Sequence, residues 1–174
     1  LDDIRFQVYS GLAFGASKFM HYCYHVPGYN GTTYSAEVYA MRDYAGEYTE
    51  LWDYAQYVHN EISVFSKEFS EYNWISASAY KSFAVPSYLS SISAFSDADL
   101  TIISSEQSLL IGTFESKAGT GKAFMITNAA DPERRQSTEI TFTAEGTVTV
   151  YLDGIKQTLK DINGVYTLLS LIHI

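Results

Sequence analysis

The hydrophobic period of the sequence changes at Tyr72, and this change divides the chain into a helical part and a β-rich part. Before Tyr72, apolar residues recur every three or four positions, which is the spacing of one face of an α-helix. After Tyr72, short alternating segments are separated by turn residues, as in antiparallel sheets. We therefore predict an α+β chain with two domains, residues 1–72 and residues 73–174.

Two helices are predicted in the first part. In the first helix, Ile4, Val8 and Leu12 recur every four residues, and Gly15 provides a C-terminal stop. The second helix begins after Thr49, a residue type that is favoured at the N-cap. Its apolar stripe is about five turns long and consists of Leu51, Ala55, Val58, Ile62, Phe65 and Phe69. The charged residues off this stripe are predicted to face water, namely Glu61, Lys67, Glu68 and Glu71.

A short strand is predicted between the two helices, at residues 18–26. This segment is rich in aromatic residues, and its apolar residues occupy both parities. Such a pattern is typical of a parallel strand that is covered on both faces. Pro27 ends the strand, and the following residues, PGYNGTTYS, are predicted to form a loop.

The second part is predicted to be an antiparallel β-sandwich, because its strands are short and its turn residues are regularly spaced. Asp153-Gly154 and Asn163-Gly164 are strong signals for two-residue hairpin turns. Residues 82–99 are rich in Ser and Ala, and we expect an irregular connection there. The predicted strands are residues 73–81, 109–115, 123–128, 139–143, 147–152 and 165–171, with 139–143 pairing with 147–152 around Glu145-Gly146.

Composition narrows the possible functions only in part. The net charge is −9, which argues against nucleic acid as a partner. No apolar run is long enough to cross a membrane, so no membrane partner is expected. The single cysteine, Cys23, excludes an internal disulfide and leaves the compartment open. Residues 168–174 are apolar and lack a cap or polar tail, and we expect a truncated C-terminus or a few non-native residues there.

Two stretches of the first part resemble segments of β-galactosidase-like glycoside hydrolases of the family 42 type. Residues 4–27, IRFQVYSGLAFGASKFMHYCYHVP, resemble R-W-Q-x-x-x-x-L-A-x-G-A-K-G-I-x-Y-F-x-Y-W-T-P. The matching positions are Arg5, Gln7, Leu12, Ala13, Gly15, Ala16, Tyr24 and Pro27. The later segment MRDYAGEYTELWDYAQYVHNEI is similar to I-D-x-x-G-x-x-T-x-L-Y-x-x-x-x-x-x-N-x-E-I, through Asp43, Gly46, Thr49, Leu51, Asn60, Glu61 and Ile62. The β-rich part resembles the C-terminal sandwich of the same proteins through LLIGTFES and AFMITNAAD.

This resemblance implies that residues 1–72 form the end of a (β/α)8 barrel, with helix 7, strand 8 and helix 8, and that residues 73–174 form an accessory sandwich. In this group the acid/base glutamate ends strand 4 and the nucleophile ends strand 7, so both would precede Leu1. A retaining glycosidase needs two carboxylates about 5 Å apart. The chain is therefore expected to be an inactive fragment, with no catalytic residue and no cofactor, whose partners are a carbohydrate and the missing N-terminal barrel segment.

The candidate substrate-binding residues are Tyr24, His25, Tyr29 and Asn30, because barrel active sites lie at the C-terminal ends of the strands. There, His25 would hydrogen-bond a sugar hydroxyl and Tyr24 would stack on a sugar face. The alternative is that both are ordinary strand-end residues. Since His25 stands where the family has Trp, and Lys18-Phe19 where it has G-I, substrate preference is expected to differ.

Other interpretations of single residues are less favoured. His21, Cys23 and His25 would share one strand face, where three ligands of a metal ion such as zinc could stand side by side. However, same-face neighbours are about 6.5 Å apart, too far for a single strand to close all three on one ion, and no metal is predicted. The acidic residues Glu47, Glu50 and Asp53 are expected only to favour the helix dipole. At the level of the whole chain, the alternative function is a non-catalytic carbohydrate- or protein-binding β-sandwich module, which the tyrosine-rich strands favour.

Overall fold

The structure, a computed structural model, describes residues 1–21, 24, 40–43, 45–81, 92–130 and 136–170. These residues form an α+β fold, as predicted. The helices are α1 (Asp2–Ala13) and α2 (Glu50–Phe69). The strands are β1 (Tyr72–Tyr80), β2 (Ser93–Ala94), β3 (Leu100–Ser105), β4 (Leu109–Ser116), β5 (Lys122–Asn128), β6 (Thr138–Ala144), β7 (Thr149–Leu152), β8 (Ile155–Thr158) and β9 (Tyr166–Ser170).

The strands form two facing sheets and a separate hairpin. One sheet has the order β2-β1-β4-β5, the other has the order β3-β6-β9, and β7 pairs with β8. All pairs are antiparallel except β1 with β2. Alternate residues of the two sheets meet in a sandwich core, because successive strand side chains point to opposite faces. The buried residues of this core are Leu100, Ile102, Leu109, Ile111, Ile140, Phe142, Tyr166 and Leu168.

Strand β4 is the centre of a three-layered arrangement. Leu109 and Ile111 point into the sandwich core, while the opposite face of β4 meets the helices. On that face, Phe114 contacts the ring of Phe69 in α2, with ring centroids 4.8 Å apart. A methyl group placed on Gly112 would come within 2.7 Å of Ala13 Cα, so α1 crosses β4 at a glycine because nothing larger fits. The helices therefore form an outer layer on the four-stranded sheet.

The helical layer has its own hydrophobic core. Four of its buried residues, Val8, Leu12, Val58 and Phe65, come from the predicted stripes of the two helices, and the fifth, Tyr9, lies beside the stripe of α1. Helix α1 ends as predicted: Gly15 has φ +84°, and the amide of Ala16 donates to Gly11 O at 2.9 Å. Trp74 of β1 closes this end by donating its indole N–H to Ala13 O at 3.0 Å. Neither helix among the described residues is long and apolar enough to span a membrane.

The described part of the predicted strand at residues 18–26 is not a strand. Residues 18–21 and Tyr24 have no strand structure, and residues 22, 23, 25 and 26 lie outside the described residues. Phe19 instead packs against the core of the helical layer, so its aromatic side chain is partly buried without strand pairing. The barrel end that the resemblance implies, and the division into two domains, stay predictions.

Most predicted strands are confirmed, but one predicted pairing is wrong. Strand β6 was expected to pair with the segment that forms β7, yet its two edges are occupied by β3 and β9. Strand β7 therefore pairs with β8 across the Asp153-Gly154 turn, where φ is +50° and +71°. The hairpin between β4 and β5 is confirmed, whereas β2, β3 and β8 were not among the predicted strands. Strand β2 lies in the segment that was expected to be irregular, and β3 was missed although its sequence, LTIISS, has the β-branched residues that are typical of strands.

Candidate functional site

Of the four candidate substrate-binding residues, the structure describes Tyr24; His25, Tyr29 and Asn30 lie outside the described residues. The Tyr24 side chain is about half exposed. Its hydroxyl accepts a hydrogen bond from Arg42 Nε at 3.1 Å, and its carbonyl oxygen accepts one from Arg42 N at 2.9 Å. Two bonds to the same residue therefore tie Tyr24 to the segment that leads into α2.

Tyr24 belongs to an exposed group of rings around Arg42. The Arg42 guanidinium lies 4.0 Å from the ring centroid of Tyr48 and 5.8 Å from that of Tyr24. Tyr48 stacks on Trp52, with centroids 4.6 Å apart, and Tyr24 meets Trp52 edge-on at 6.1 Å. We call Tyr24, Arg42, Tyr48 and Trp52 the aromatic cluster. It presents flat apolar faces beside a fixed positive charge at the N-terminal end of α2.

A tight turn before α2 builds this cluster. Asp43 Oδ1 accepts hydrogen bonds from the amides of Ala45, at 2.8 Å, and Glu47, at 2.9 Å. Gly46 supplies φ +84°, and the chain then returns so that Arg42 and Tyr48 form an antiparallel bridge. The residues that the resemblance singled out in this segment, Asp43 and Gly46, thus have a local structural role. They bring Tyr48 and Arg42 together.

Thr49 occupies the predicted N-cap position of α2, but its side chain does not cap the helix. Its hydroxyl instead donates to Ala40 O at 2.5 Å, and its amide donates to Met41 O at 3.1 Å. Thr49 therefore holds the preceding segment against the helix start. Trp52 lies one turn further on, where its amide donates to Thr49 O at 2.9 Å, and this places the indole under Tyr48.

Hydrogen bonding within the cluster shifts the titration of its members. Bonds from Arg42, and then from Tyr24, lower the pKa of the Tyr48 phenol. The same bonds, to Tyr48 first and then to Tyr24, raise the pKa of the Arg42 guanidinium. The cluster thus keeps a permanent cation beside a phenol oxygen that favours accepting a hydrogen bond. This combination suits ring stacking and hydrogen bonding to a polar ligand.

The acidic residues beside the cluster are exposed, as expected of residues that only favour the helix dipole. Glu47, Glu50 and Asp53 all lie on the surface at the N-terminal end of α2. Glu50 accepts a hydrogen bond from the Tyr54 hydroxyl at 3.3 Å, one turn along the helix. This position is favourable for negative charge because the helix N-terminus carries a partial positive charge.

Glu61 was predicted to face water, and this prediction is wrong. Its side chain is 5% exposed and pairs with Arg5 of α1, which is similarly buried. Arg5 Nε donates to Glu61 Oε2 at 3.1 Å, Arg5 Nη2 donates to Oε1, and Nη2 also reaches Asp153 Oδ1 at 3.2 Å. Arg5 and Glu61 both lie on the apolar faces of their helices, at helical spacing from Leu12 and Val58, and this was the missed signal.

His21 forms a pair with His59 of α2 that the sequence did not suggest. The two Nε2 atoms are 2.9 Å apart and the rings are perpendicular. The ring centroids are 5.2 Å apart, so the centroid distance equals the N···N distance plus about one ring radius on each side, and the two nitrogens lie on the line between the centroids. Each ring therefore points its nitrogen straight at the other, as in an N–H···N hydrogen bond, whereas two metal ligands would converge on a third point. No group of three metal-ligating side chains occurs among the described residues.

An open cleft of about 720 Å³ lies beside the sandwich, apart from the aromatic cluster. It lies between β5 and the β7–β8 hairpin and also touches α2. Glu68 of α2 stands at its rim, where it accepts hydrogen bonds from the Tyr151 hydroxyl and from Lys156 Nζ. We call this feature the β5–β7 cleft.

Comparisons with protein-family models, with curated proteins and with solved structures found no match for this chain.

Proposed function

We propose that this chain is the C-terminal part of a retaining, β-galactosidase-like glycoside hydrolase, and that the aromatic cluster forms part of its sugar-binding wall. The observation that carries the proposal is the exposed stack of Tyr48 on Trp52, with Tyr24 and Arg42 beside it. Aromatic faces bind the apolar face of a sugar ring, while a guanidinium and phenol hydroxyls bond its hydroxyl groups.

The position of the cluster agrees with this role. In a (β/α)8 barrel, the loops that follow the strands lead into the helix N-termini and form the active-site face. If α2 is the eighth helix, its N-terminal end belongs to that face, and Tyr24, Tyr48 and Trp52 surround it. The catalytic carboxylates are then supplied by strands that precede residue 1. The chain alone therefore positions a sugar without cleaving it, and we expect no turnover of nitrophenyl glycosides.

The sugar-binding role is tested by saturation-transfer NMR with methyl β-galactoside and the full chain. We expect transfer to the sugar protons that is strongly reduced in Tyr48→Ala and in Trp52→Ala. The control is Phe14→Ala, because Phe14 has the same exposure as Tyr48 but lies at the end of α1. Equal transfer from the wild type, both cluster variants and the control would contradict the proposal.

A second candidate function is a non-catalytic carbohydrate- or protein-binding module formed by the strands. The observation that favours it is the β5–β7 cleft, which several aromatic side chains line, among them Phe65, Tyr72 and Tyr151. In the same NMR experiment, saturation transfer that persists in both cluster variants but disappears in Tyr151→Ala would favour a carbohydrate site in this cleft.

A further inference from the structure

The β5–β7 cleft is bounded by the edges of two strands. Consecutive residues line it on both sides, residues 121–126 on the β5 side and residues 147–152 on the β7 side. Since successive side chains of a strand point to opposite faces, a strand that lines a cleft with consecutive residues presents its edge and not one face. The cleft therefore lies between two edges that run beside each other.

Neither of these edges has a strand partner among the described residues. Strand β5 is the last strand of its sheet and pairs with β4. Strand β7 pairs with β8, and the hairpin joins neither sheet. Each edge thus offers a row of backbone N–H and C=O groups that a further strand can pair with.

The volume of the cleft fits one extended chain segment. A strand rises about 3.3 Å per residue, lies about 4.8 Å from its neighbour, and sits in a layer about 10 Å thick, which gives about 160 Å³ per residue. The cleft volume of about 720 Å³ then accommodates about four or five residues in extended conformation.

The cleft opens onto both hydrophobic cores. On one side it meets the helical layer at Phe65, Met125 and Tyr151. On the other side it meets the sandwich core at Phe124 and Phe142. A strand in this position would be covered on both faces, so both parities of its side chains would be apolar. A sugar would meet aromatic groups there but would leave the two rows of backbone groups unpaired.

The rim of the cleft adds a charge preference. Its lysines already have carboxylate partners: Lys122 Nζ lies 2.9 Å from Asp97 Oδ2 and 3.0 Å from Asp99 Oδ2, and Lys156 Nζ lies 2.5 Å from Glu68 Oε1. Glu145 also lines the cleft. The cleft is thus lined by three carboxylates, those of Glu68, Asp99 and Glu145, and by two ammonium groups, and the excess negative charge favours basic residues at the ends of the occupant.

We propose that the β5–β7 cleft is a strand-acceptor site, which takes an extended segment of a separate polypeptide with apolar side chains on both faces and basic residues at its ends. The added strand pairs with β5 on one edge and with β7 on the other, and it joins the hairpin to the four-stranded sheet. This is β-augmentation, in which main-chain bonds give affinity and the flanking pockets select side chains.

Hydrogen exchange of the free full-length chain is the first test. We expect fast exchange for those amides of residues 122–127 that do not bond to β4. Slow exchange at those amides, together with slow exchange of amides in β7 that do not bond to β8, would show that β5 and β7 already pair in solution. That result would overturn the proposal, because no acceptor edge would be free.

The second test selects peptides from a display library in which lysines flank five positions drawn from Val, Ile, Leu, Phe, Tyr and Thr. We expect enrichment on the full chain, protection of β5 and β7 amides by the enriched peptide, and loss of binding when its central residue is proline. Binding should weaken at least tenfold in Met125→Lys and in Val150→Lys, because an inward charge blocks strand addition.

The matched control is Ile103→Lys, which places the same charge at a half-exposed position on β3 that does not line the cleft. Far-UV circular dichroism establishes that each variant is folded. Failure of the library to enrich on the wild type over Met125→Lys would overturn the proposal, and so would equal weakening by the Ile103 control.

Discussion

Removal of Glu61 tests the packing of α1 against α2 through the buried ion pair that joins them. Glu61 is 5% exposed and both of its carboxylate oxygens face Arg5, which is 7% exposed. The Glu61→Ala substitution leaves the guanidinium buried with Asp153 as its remaining carboxylate, at 3.2 Å. Breaking a buried ion pair by removing one partner costs about 3–5 kcal/mol.

The lower end of this range is expected here. Asp153 remains within reach of Arg5, and its side chain is 45% exposed, so Arg5 keeps part of its compensation. A loss of about 3 kcal/mol would lower the midpoint of urea unfolding by roughly 1.5 M, for a slope of about 2 kcal/mol per M. Asp153→Asn removes a half-exposed partner and is expected to cost about 0.2–1 kcal/mol.

The measurement is urea unfolding followed by circular dichroism, with a double-mutant cycle of Arg5→Met, Glu61→Leu and the combined variant. The control is Gln56→Ala, an exposed position on the same helix, which carries the same change in helix propensity without the ion pair. The variant Arg5→Met/Glu61→Leu removes both charges and should recover most of the loss, since apolar side chains of similar size often replace buried ion pairs well. A Glu61→Ala midpoint equal to that of the control would refute the buried pair.

Three further predictions concern packing and titration. Gly112→Ala should lower the free energy of unfolding by about 1–3 kcal/mol, because the new methyl group meets the Ala13 backbone. The control is Gly119→Ala in the open β4–β5 turn, where the methyl group meets nothing and the only cost is that of the φ of +70°; urea unfolding of both variants checks this. Tyr48 should ionise at a lower pH than an ordinary tyrosine in an absorbance titration, because hydrogen bonds from Arg42 and Tyr24 lower its pKa. Arg42→Gln should move that step to higher pH, and an unchanged step would contradict this reasoning. Burial, and then the charge of His59, lower the pKa of His21 below 6.5 in the folded chain. As the pH falls through about 6.5, the unfolded chain therefore binds a proton at this histidine before the folded chain does, and the free energy of unfolding decreases. His21→Gln should flatten the decrease of the unfolding midpoint between pH 7 and pH 5.

The sequence predicted only one residue of the aromatic cluster. Tyr24 was singled out because it lies near the C-terminal end of the predicted strand at residues 18–26. The structure brings it into contact with Arg42 and Trp52, beside Tyr48, and these three residues were not singled out. The approach of Arg42 to Tyr48 depends on the local turn that Asp43 and Gly46 form, whereas the contact of Tyr24 with Arg42 joins residues 18 positions apart, which no local pattern predicts. An Arg followed six residues later by Tyr, across an Asp-x-x-Gly turn, is the one sequence signal that was available.

The sequence by itself determined the helices and turns, which depend on interactions between residues that are close in the chain. The periodic stripes of α1 and α2, the stop at Gly15 and the turns at Asp153 and Asn163 all follow from side-chain spacing and from the positive φ that those residue types tolerate. These features depend on residues a few positions apart, so a single sequence carries the information they need.

Tertiary structure alone decided which surfaces meet. A period of two predicts that a strand has a buried face, but it does not predict which strand lies beside it. For this reason the sequence did not reveal that β6 pairs with β3 and β9 and not with β7. Helical spacing placed Glu61 beside an apolar stripe, but its burial required Arg5 to arrive from another helix with a matching charge. Partner choice depends on the complementarity of distant segments, and this is the information that periodicity and turn chemistry do not contain.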